Sequence, residues 1–480
     1  MRTYLGIDLG TSATKTVLTD ASGRVLARGR ATHRRAPEAG RVDTEAWARS
    51  VREACLDLGE QASRADAVGL AVHCPVAVLM DRDGAALAPG LCWDHDALPT
   101  LMERYKRARA GLAGQVGNVA HPSTSMGLAW LFFAEHEPDA AKRARTLGFV
   151  GTWLGRRLTG RDALDPTQAS YSGLFGTTDD TGDWLDPLLD AMDVPRDVLP
   201  PIRPSLSELG PLLPEAAAEL GLRPGIPVVV GAADTAAAAY LLGLDEGRGP
   251  LYTVGTTHVL TRATATPAPQ PRALQRAHVR PGRWLWHAAT NGGMSLAAAA
   301  RRLGHGDDVE KMIGLAGEAT ARQMLDAPVY VPHTTPERGP FWLDRPRTAL
   351  VGHRPDTDPR SAAWGCVEGV AFAVRLMLAM TEPDRPDGER LFLGGSFGAD
   401  PVYARLVADL FGCEVDLVNE SCLPAMGAAA IAARTVDGVA PTPPPVHRIV
   451  PRPDRAEVIA RRWSRFGEVW SDVTERPLRW

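Results

Sequence analysis

The sequence predicts an α/β protein of two domains. At 480 residues the chain exceeds what one ordinary hydrophobic core accommodates, so two domains with a cleft between them are expected. Its opening residues alternate short apolar runs with glycine-containing turns, the pattern of a β-meander. Later apolar strands alternate with helical stretches, as in α/β folds. Near the midpoint a strand, a Gly-Thr-Thr turn and a second strand repeat the logic of the first hairpin. Gly255-Thr256-Thr257 falls 245 positions after Gly10-Thr11-Ser12, which points to two related halves.

The elements follow in order. Strands are expected over residues 4–8, 15–19 and 24–27, with turns at 10–12 and 20–23. A further strand is expected at 67–72, a helix around 128–135, and a strand at 226–230 running into an Ala-rich helix after Asp234. The segment ERLFLGGSFGADPVYARLVADLFG reads as a strand, a turn at Gly394-Gly395-Ser396, and a helix introduced by Asp400-Pro401, a cap followed by a first-turn proline. Pro-rich stretches at 266–271 and 440–445 read as surface loops. Residues 455–473, with Trp463, Phe466 and Trp470 at helical spacing, read as an amphipathic packing helix.

Composition narrows the function classes. An apolar fraction of 45% and a charged fraction of 23% exclude a disordered, fibrous or membrane-embedded chain. The formal charge of -4 comes without any long Lys/Arg block, so no nucleic-acid partner is expected. The six cysteines contain no C-x-x-C pair, so buried free thiols are expected rather than a zinc site or a disulfide framework. MRTYLGIDLG has no sustained apolar core of a signal peptide, and no stretch is expected to reach transmembrane length. A cytoplasmic location without a membrane partner follows as an expectation.

Asp8 ends an apolar strand immediately before a glycine turn. Such a turn brings backbone N–H groups and the hydroxyls of Thr11 and Ser12 toward a ligand, which suits phosphate oxygens. A carboxylate beside it suits the hydrated Mg²⁺ that accompanies ATP. A plain hairpin with an Asx-turn accounts for the same residues. Gly255-Thr256-Thr257 is by itself a hydroxyl-rich hairpin; with the first turn it can grip a triphosphate from two sides. Asp234, between an apolar strand and a helix, suits a helix N-cap. It equally suits a general base whose ionised form the helix N-terminus favours. Gly394-Gly395-Ser396 would let a flat base and its ribose lie against the backbone.

In this order the segments resemble the FGGY carbohydrate kinases, in particular their xylulose-kinase-like branch, within the actin and sugar-kinase superfamily. GIDLGTSATKTVLTD resembles the family's first phosphate motif, YTVGTTHVLT its second, and LFLGGSFGADPVYARLVADLFGCEV its adenosine motif. Residues 332–339 with Trp342-Leu343-Asp344, and residues 364–372, resemble the ERxPxW and EGVAF segments. The resemblance implies two ribonuclease-H-like (actin-like ATPase) domains around a deep central cleft. Residues 1–245 would bind sugar and carry the first phosphate motif, and residues 246–480 would bind nucleotide. It implies Asp234 as catalytic base and Asp8 near Mg²⁺, through water. Thr11, Ser12, Lys15, Gly255, Thr256 and Thr257 would contact phosphate, and Gly394, Gly395 and Ser396 would line the nucleotide. The implied activity is ATP-dependent phosphorylation of a hydroxyl on a sugar or sugar-like polyol, first of all a xylulose-like ketose. Another polyol, a cyclitol, a modified sugar, or a catalytically weak sugar/ATP-binding sensor are the alternatives. Family members are often dimers, so a homodimer is also an expectation.

The departures fall in the sugar pocket. His73-Cys74-Pro75 stands where xylulose-kinase-like members carry Gln-Met-His. Trp93-Asp94-His95-Asp96-Ala97 lacks the arginine of their Trp-x-Asp-x-Arg, and Thr235 follows the base where Asn is common. Acceptor contacts are expected from His73, Cys74, Trp93, Asp94 and Asp234. An actin-like or chaperone-like ATPase is the competing enzyme class; Asp234 after VVVGA and the ERxPxW-like segment favour the kinase.

Overall fold

Two seven-stranded sheets, one from each half of the chain, are wound in the same order. The structure, a computed structural model, describes residues 2–33, 39–178, 182–267, 273–386, 388–395 and 400–477. In the first sheet Thr3–Leu9 pairs antiparallel with Ala13–Asp20, which pairs antiparallel with Val25–Thr32. On its other side Thr3–Leu9 pairs parallel with Ala67–Val72. Pro227–Val229 and Glu208–Pro211 extend the sheet, and Ala232–Ala233 rejoins Ala67–Val72. In the second sheet Leu251–Val254 takes the place of Thr3–Leu9. It is antiparallel to His258–Thr264, beyond which lie Trp284–Thr290 and Leu274–Ala277. It is parallel to Leu391–Gly395, which is followed by Val415–Leu417 and His447–Ile449. The weak repeat of Gly-Thr turns in the sequence is therefore the trace of a duplicated ribonuclease-H-like topology.

TYLGIDL and AVGLAV are buried at every position, which is why they read as unbroken apolar runs rather than alternating ones. The first hairpin is longer than expected, because Val25–Thr32 has a partly solvated face whose arginines hide its strand character.

The two halves share a helical layer. Helix Leu423–Asp437, from the end of the chain, packs on Thr3–Leu9, on Ala67–Val72 and on helix Asp234–Leu242. Small residues make this possible. A Cβ on Gly6 would lie 1.8 Å from the Ala425 carbonyl oxygen, and one on Gly69 would lie 1.9 Å from that of Ala428. The alanine run of DTAAAAYLL favours helix and keeps its surface thin. One apolar cluster consequently runs from Val17 and Ala71 through Ala425 and Ala429 to Leu251, Leu285 and Phe392. We propose 245/246 as the division between the halves, with this layer as their common floor.

One expectation is corrected. Helix Pro359–Thr381 is 23 residues long and apolar enough by composition to cross a membrane. Of its most apolar window 83% is buried inside the protein, and it carries Glu368 paired with Arg462. It is the core helix of the second half. The amphipathic segment near the C-terminus forms helix Ala456–Thr474, with Phe466 and Trp470 buried. All six cysteines are free; Cys74 alone is only half-buried.

A smaller four-stranded sheet, Arg41–Val42, Gly90–Cys92, Val76–Met80 and Thr146–Phe149, stands beside the first. It matters because Val76 directly follows His73-Cys74-Pro75 and Cys92 directly precedes Trp93.

Candidate active site

Register brings the candidate side chains to one edge of the first sheet. Asp8 lies opposite Ala71, Leu9 opposite Val72, and Val72 opposite Ala233. Asp8, His73 and Asp234 thus emerge at the carboxyl ends of adjacent strands, the edge where open α/β sheets bind ligands.

Asp8 is buried, and its Oδ1 has no hydrogen-bond partner. Burial, and then the charge of Asp234, push its carboxyl up to about 8, while Lys15 acts in the opposite direction. An orphaned carboxylate oxygen at the edge of a phosphate-sized turn fits a cation. No cluster of three or more His, Cys, Asp or Glu ligands surrounds it among the described residues. That donor set suits Mg²⁺, which keeps most of its waters and takes phosphate oxygens, rather than a metal needing a protein cage.

The turn after Asp8 is closed by a bond from Gly10 N to Ala13 O of 3.1 Å. It leaves Thr11 and Ser12 exposed. Lys15 donates to the carbonyl of Ser421 at 2.7 Å, so it ties the first hairpin to the loop before helix Leu423–Asp437.

Asp234 is the first residue of its helix, with Ala233 in the cap position and no side-chain cap bond. The N-cap role is therefore not the one it plays. Its Oδ1 accepts instead from Thr235 N at 2.6 Å and from Thr235 Oγ1 at 3.0 Å. Burial raises its carboxyl above the ordinary value, and these two bonds oppose the shift. The backbone before it is fixed as well. Ala233 N donates to Thr167 Oγ1 at 2.8 Å, and Thr167 bonds the buried Asp165 through both its N–H and its hydroxyl.

His73 donates through Nδ1 to the carbonyl of Leu9 at 2.8 Å and lies edge-on to Trp47, with centroids 5.3 Å apart. A cavity of about 100 Å³ lies here, lined by Thr11, His33, Trp47, His73, Cys74, Trp93 and Asp94 among others. Four of the five residues expected to touch an acceptor, His73, Cys74, Trp93 and Asp94, therefore share one cavity with Thr11 of the first Gly-Thr turn, while Asp234 is not part of its lining. A larger groove of about 940 Å³ at Trp153, Arg156 and Glu219 contains none of them.

On the nucleotide side Gly394 lies opposite Thr253 and Gly395 opposite Val254, which sets the glycine pair beside Gly255-Thr256-Thr257. A Cβ on Gly395 would lie 2.1 Å from the Val254 carbonyl oxygen, and its φ is +97°; only glycine fits there. Ser396 lies outside the described residues.

With this geometry in place, the comparisons with known proteins decide the family. Residues 3–241 match the N-terminal domain, and residues 251–436 the C-terminal domain, of the FGGY family of carbohydrate kinases. The chain belongs to that family. It is 30% identical over 495 residues to the xylulose kinase of Streptomyces coelicolor, covering 98% of this chain and 93% of the relative. It is 27% identical over 442 residues to that of Escherichia coli, covering 89% of each. Its fold is similar to the crystal structure of a xyloylose kinase from Brucella ovis, with a TM-score of 0.87, 22% identity, and coverage of 99% and 100%. This FGGY protein is thus a carbohydrate kinase, which transfers a phosphoryl group from ATP to an alcohol group of a sugar or polyol.

Several residues beside this candidate site were not singled out as site residues in the sequence. Strand Trp284–Thr290 runs through Asn291 into helix Gly292–Arg302. Met294 N donates to Thr256 O at 3.2 Å, so the helix begins against the Gly255-Thr256-Thr257 turn. A cavity of about 650 Å³ lined by Thr256, Gly293, Met294, Ala297, Thr334 and Thr335 among others opens there, a size suited to a nucleotide. The signal was present: Gly292-Gly293 follows a strand and starts a helix, the pattern used to single out Gly394-Gly395. In the ERxPxW-like segment Glu337 turns inward, accepting from Thr290 Oγ1 at 3.0 Å and Asn291 N at 3.1 Å. Its neighbours cross to the other half. The Arg338 guanidinium lies 5.6 Å from the ring centre of Trp93, and Trp342 lies 6.2 Å from His121, itself 6.2 Å from Trp93. Burial and the charge of Arg338 hold His121 down to about 4, so this aromatic wall is neutral imidazole and indole at neutral pH.

Proposed function

We propose that Asp234 is the general base of this kinase, and that it takes the proton of an acceptor hydroxyl held against His73, Cys74, Trp93 and Asp94. The observation that carries the reading is the carboxylate itself: uncapped at the first turn of a helix, held by Thr235, and close enough to Asp8 for its charge to shift that carboxyl. The hydroxyl oxygen attacks the γ-phosphorus as the bond to ADP breaks. Thr11 and Ser12 from one half and Gly255, Thr256 and Thr257 from the other donate to the phosphates, so the two turns hold the chain of phosphorus atoms in line. Lys15 adds positive charge beside Asp8. Gly394, Gly395, Ser396 and the start of helix Gly292–Arg302 form the nucleotide's bed. Mg²⁺, when bound, neutralises phosphate charge; Asp8 is the residue that would hold it, through water. Closure of the halves excludes water from the reacting atoms.

A xylulose-like ketose is the reference acceptor, and the altered pocket favours a modified member of that class. The cytoplasm, where ATP is available, is the proposed location, and a homodimer the proposed state. The test is ADP release with Mg·ATP against ketopentoses, pentitols, aldonates, glycerol and cyclitols, with an acceptor-free control. Stimulation by one acceptor class supports the reading. Bound ATP with no stimulation by any acceptor sinks it and points to a sensor.

A pH effect follows from the same geometry. Asp234 accepts a proton only when ionised, so activity is lost as the pH falls through its raised pKa. The Thr235 hydroxyl stabilises the ionised form. In Thr235→Val that bond is gone while the backbone bond remains, and the acidic limb of the kcat/KM profile moves to higher pH. A bond worth about 1 kcal/mol corresponds to a shift of roughly 0.7 pH units. A limb that stays in place, or moves down, removes Thr235 from this role.

A further inference from the structure

A loop of the second half reaches a wall of the acceptor cavity in the first. Residues 337–343 close on themselves: Glu337 N donates to Leu343 O at 2.8 Å, and Trp342 N to Arg338 O at 3.0 Å. Arg476 anchors the loop by donating to the carbonyl of Phe341 and, at 2.8 Å, to that of Trp342. Trp342 holds a φ of +45°, a conformation that costs a bulky residue energy and persists only where the surroundings impose it. Its ring lies against Gly339, where a Cβ would stand 2.7 Å from Trp342 Cζ2. This firmly held backbone carries Arg338, whose guanidinium carbon lies 5.6 Å from the ring centre of Trp93, within the range of a cation–π attraction.

Both sides of that contact border a candidate ligand site. On the first half, Trp93 follows strand Gly90–Cys92 and lines the cavity shared by Thr11, His73, Cys74 and Asp94. On the second, Thr335, just before the loop, lines the cavity of about 650 Å³ beside Thr256 and Gly293. Short contacts tie the loop to the Gly255-Thr256-Thr257 turn. Glu337 accepts from Thr290 Oγ1 at 3.0 Å and from Asn291 N at 3.1 Å. Asn291 Nδ2 donates to Thr335 Oγ1 at 2.7 Å and to Pro336 O at 3.0 Å. The helix that follows Asn291 sits so close to the turn that a Cβ on Gly293 would lie 2.0 Å from the Gly255 carbonyl oxygen. Contacts this close transmit displacement rather than absorb it, so turn and loop move together.

The halves are also joined away from Trp93. At the edge strand Leu274–Ala277, Gln275 N donates to Asn118 Oδ1 at 2.7 Å, Arg276 Nη1 to the same oxygen at 3.1 Å, and Ala277 N to Ser170 Oγ at 2.9 Å. Loss of the Arg338 guanidinium therefore leaves the halves attached, and its effect falls on Trp93.

We propose that Arg338 is a positioning residue through which the nucleotide half holds the Trp93 indole against the acceptor cavity, so that nucleotide binding sets the acceptor wall. This rests on the reading that Trp93 contacts the acceptor. Arg338 touches no reacting atom and acts through Trp93 alone. A cation over an indole face is held more strongly where water is excluded, so closure of the halves tightens the contact. The rival account makes Arg338 a packing residue of its own loop, with Trp93 held entirely by the first half.

The experiment labels the full chain with fluorotryptophan and follows its twelve tryptophans by fluorine NMR, the Trp93 resonance being the one lost in Trp93→Phe. In the wild type, Mg·ADP is expected to move that resonance. In Arg338→Met the resonance starts displaced and no longer responds to Mg·ADP, with saturation by nucleotide checked by calorimetry. Arg338→Lys, which keeps the cation, retains part of the response. A wild-type Trp93 resonance that ignores Mg·ADP overturns the proposal, and so does an unchanged response in Arg338→Met. An Arg338→Met protein that no longer binds Mg·ADP also overturns it, because the loop itself is then at fault.

Kinetics with the acceptor that stimulates ADP release give a second readout. Arg338→Met is expected to raise the acceptor KM by roughly 3–30-fold, the scale of a cation–π contact, with kcat changed by less than about twofold. On a Trp93→Leu background the same substitution should add less than about twofold to KM, because its target is gone. Effects that multiply independently overturn the proposal. If no acceptor stimulates ADP release, the kinase reading fails on its own, and the fluorine spectra still decide whether Arg338 positions Trp93.

Discussion

Asp234→Asn lowers kcat by about 10²–10⁴-fold, the usual contribution of a general base, while ATP binds with little change. The substitution is nearly isosteric. An amide oxygen still accepts from Thr235 N and Oγ1, as the carboxylate oxygen does at 2.6 and 3.0 Å. The Thr167 bond to Ala233 N is untouched, so the helix start stays in place. Only the proton acceptor is removed. Single-turnover kinetics with the best acceptor separates this loss from a change in acceptor binding, and titration of nucleotide fluorescence checks the ATP site. Full turnover in the variant would falsify the assignment of Asp234 as base.

Arg462→Met destabilises the second half by about 3–5 kcal/mol, the range for orphaning a buried ion pair. Glu368 sits in the middle of the apolar helix Pro359–Thr381 and is 2% exposed. It accepts from Arg462 Nε and Trp364 Nε1, each at 2.9 Å. Arg462 also donates to the carbonyls of Ala327 at 2.6 Å and Pro328 at 3.0 Å, so one guanidinium ties three segments together. Methionine replaces the stem but none of the donors. Burial already raises the Glu368 carboxyl and Arg462 opposes the shift; without Arg462 the carboxyl rises further. A carboxyl raised by folding costs stability as the pH climbs from its unfolded value toward its folded one. The loss is therefore largest at neutral pH and shrinks in acid. Urea denaturation at two pH values measures both effects. Pairing Arg462→Met with Glu368→Leu should restore part of the stability, because no charge is then left unpaired. A loss below about 1 kcal/mol at neutral pH would be incompatible with the pair being buried and intact.

The candidate site was legible in the sequence to the extent that it is written in short segments. Asp8 before Gly10-Thr11-Ser12, Asp234 between an apolar strand and an alanine run, and Gly394-Gly395 between a strand and a capped helix each carry their signal within a few residues of chain. Strand, turn and helix-start preferences act over that range. His73, Cys74, Trp93 and Asp94 were found because the family resemblance pointed to their segments, and the structure places them around one cavity.

Other residues were silent for a physical reason. Arg276 reads as an ordinary strand arginine until sheet order makes its strand an edge and Asn118 and Ser170 lace that edge to the other half. Arg338 and Trp342 face Trp93 and His121 across hundreds of positions of chain. Arg462 looks like the polar face of an amphipathic helix and is instead nine-tenths buried or more, on Glu368.

By itself, then, the sequence determined the α/β class, the duplicated strand-turn-strand units with their Gly-Thr turns and the candidate base, because local backbone preferences and apolar periodicity specify such features directly. Only the tertiary structure decided that a C-terminal helix lies on the first sheet against Gly6 and Gly69, that Asp234 begins its helix without capping it, and that Arg338 of the second half lies over Trp93 of the first. Those depend on sheet order and register, which arise when distant segments bury surface together and which no short window of residues encodes.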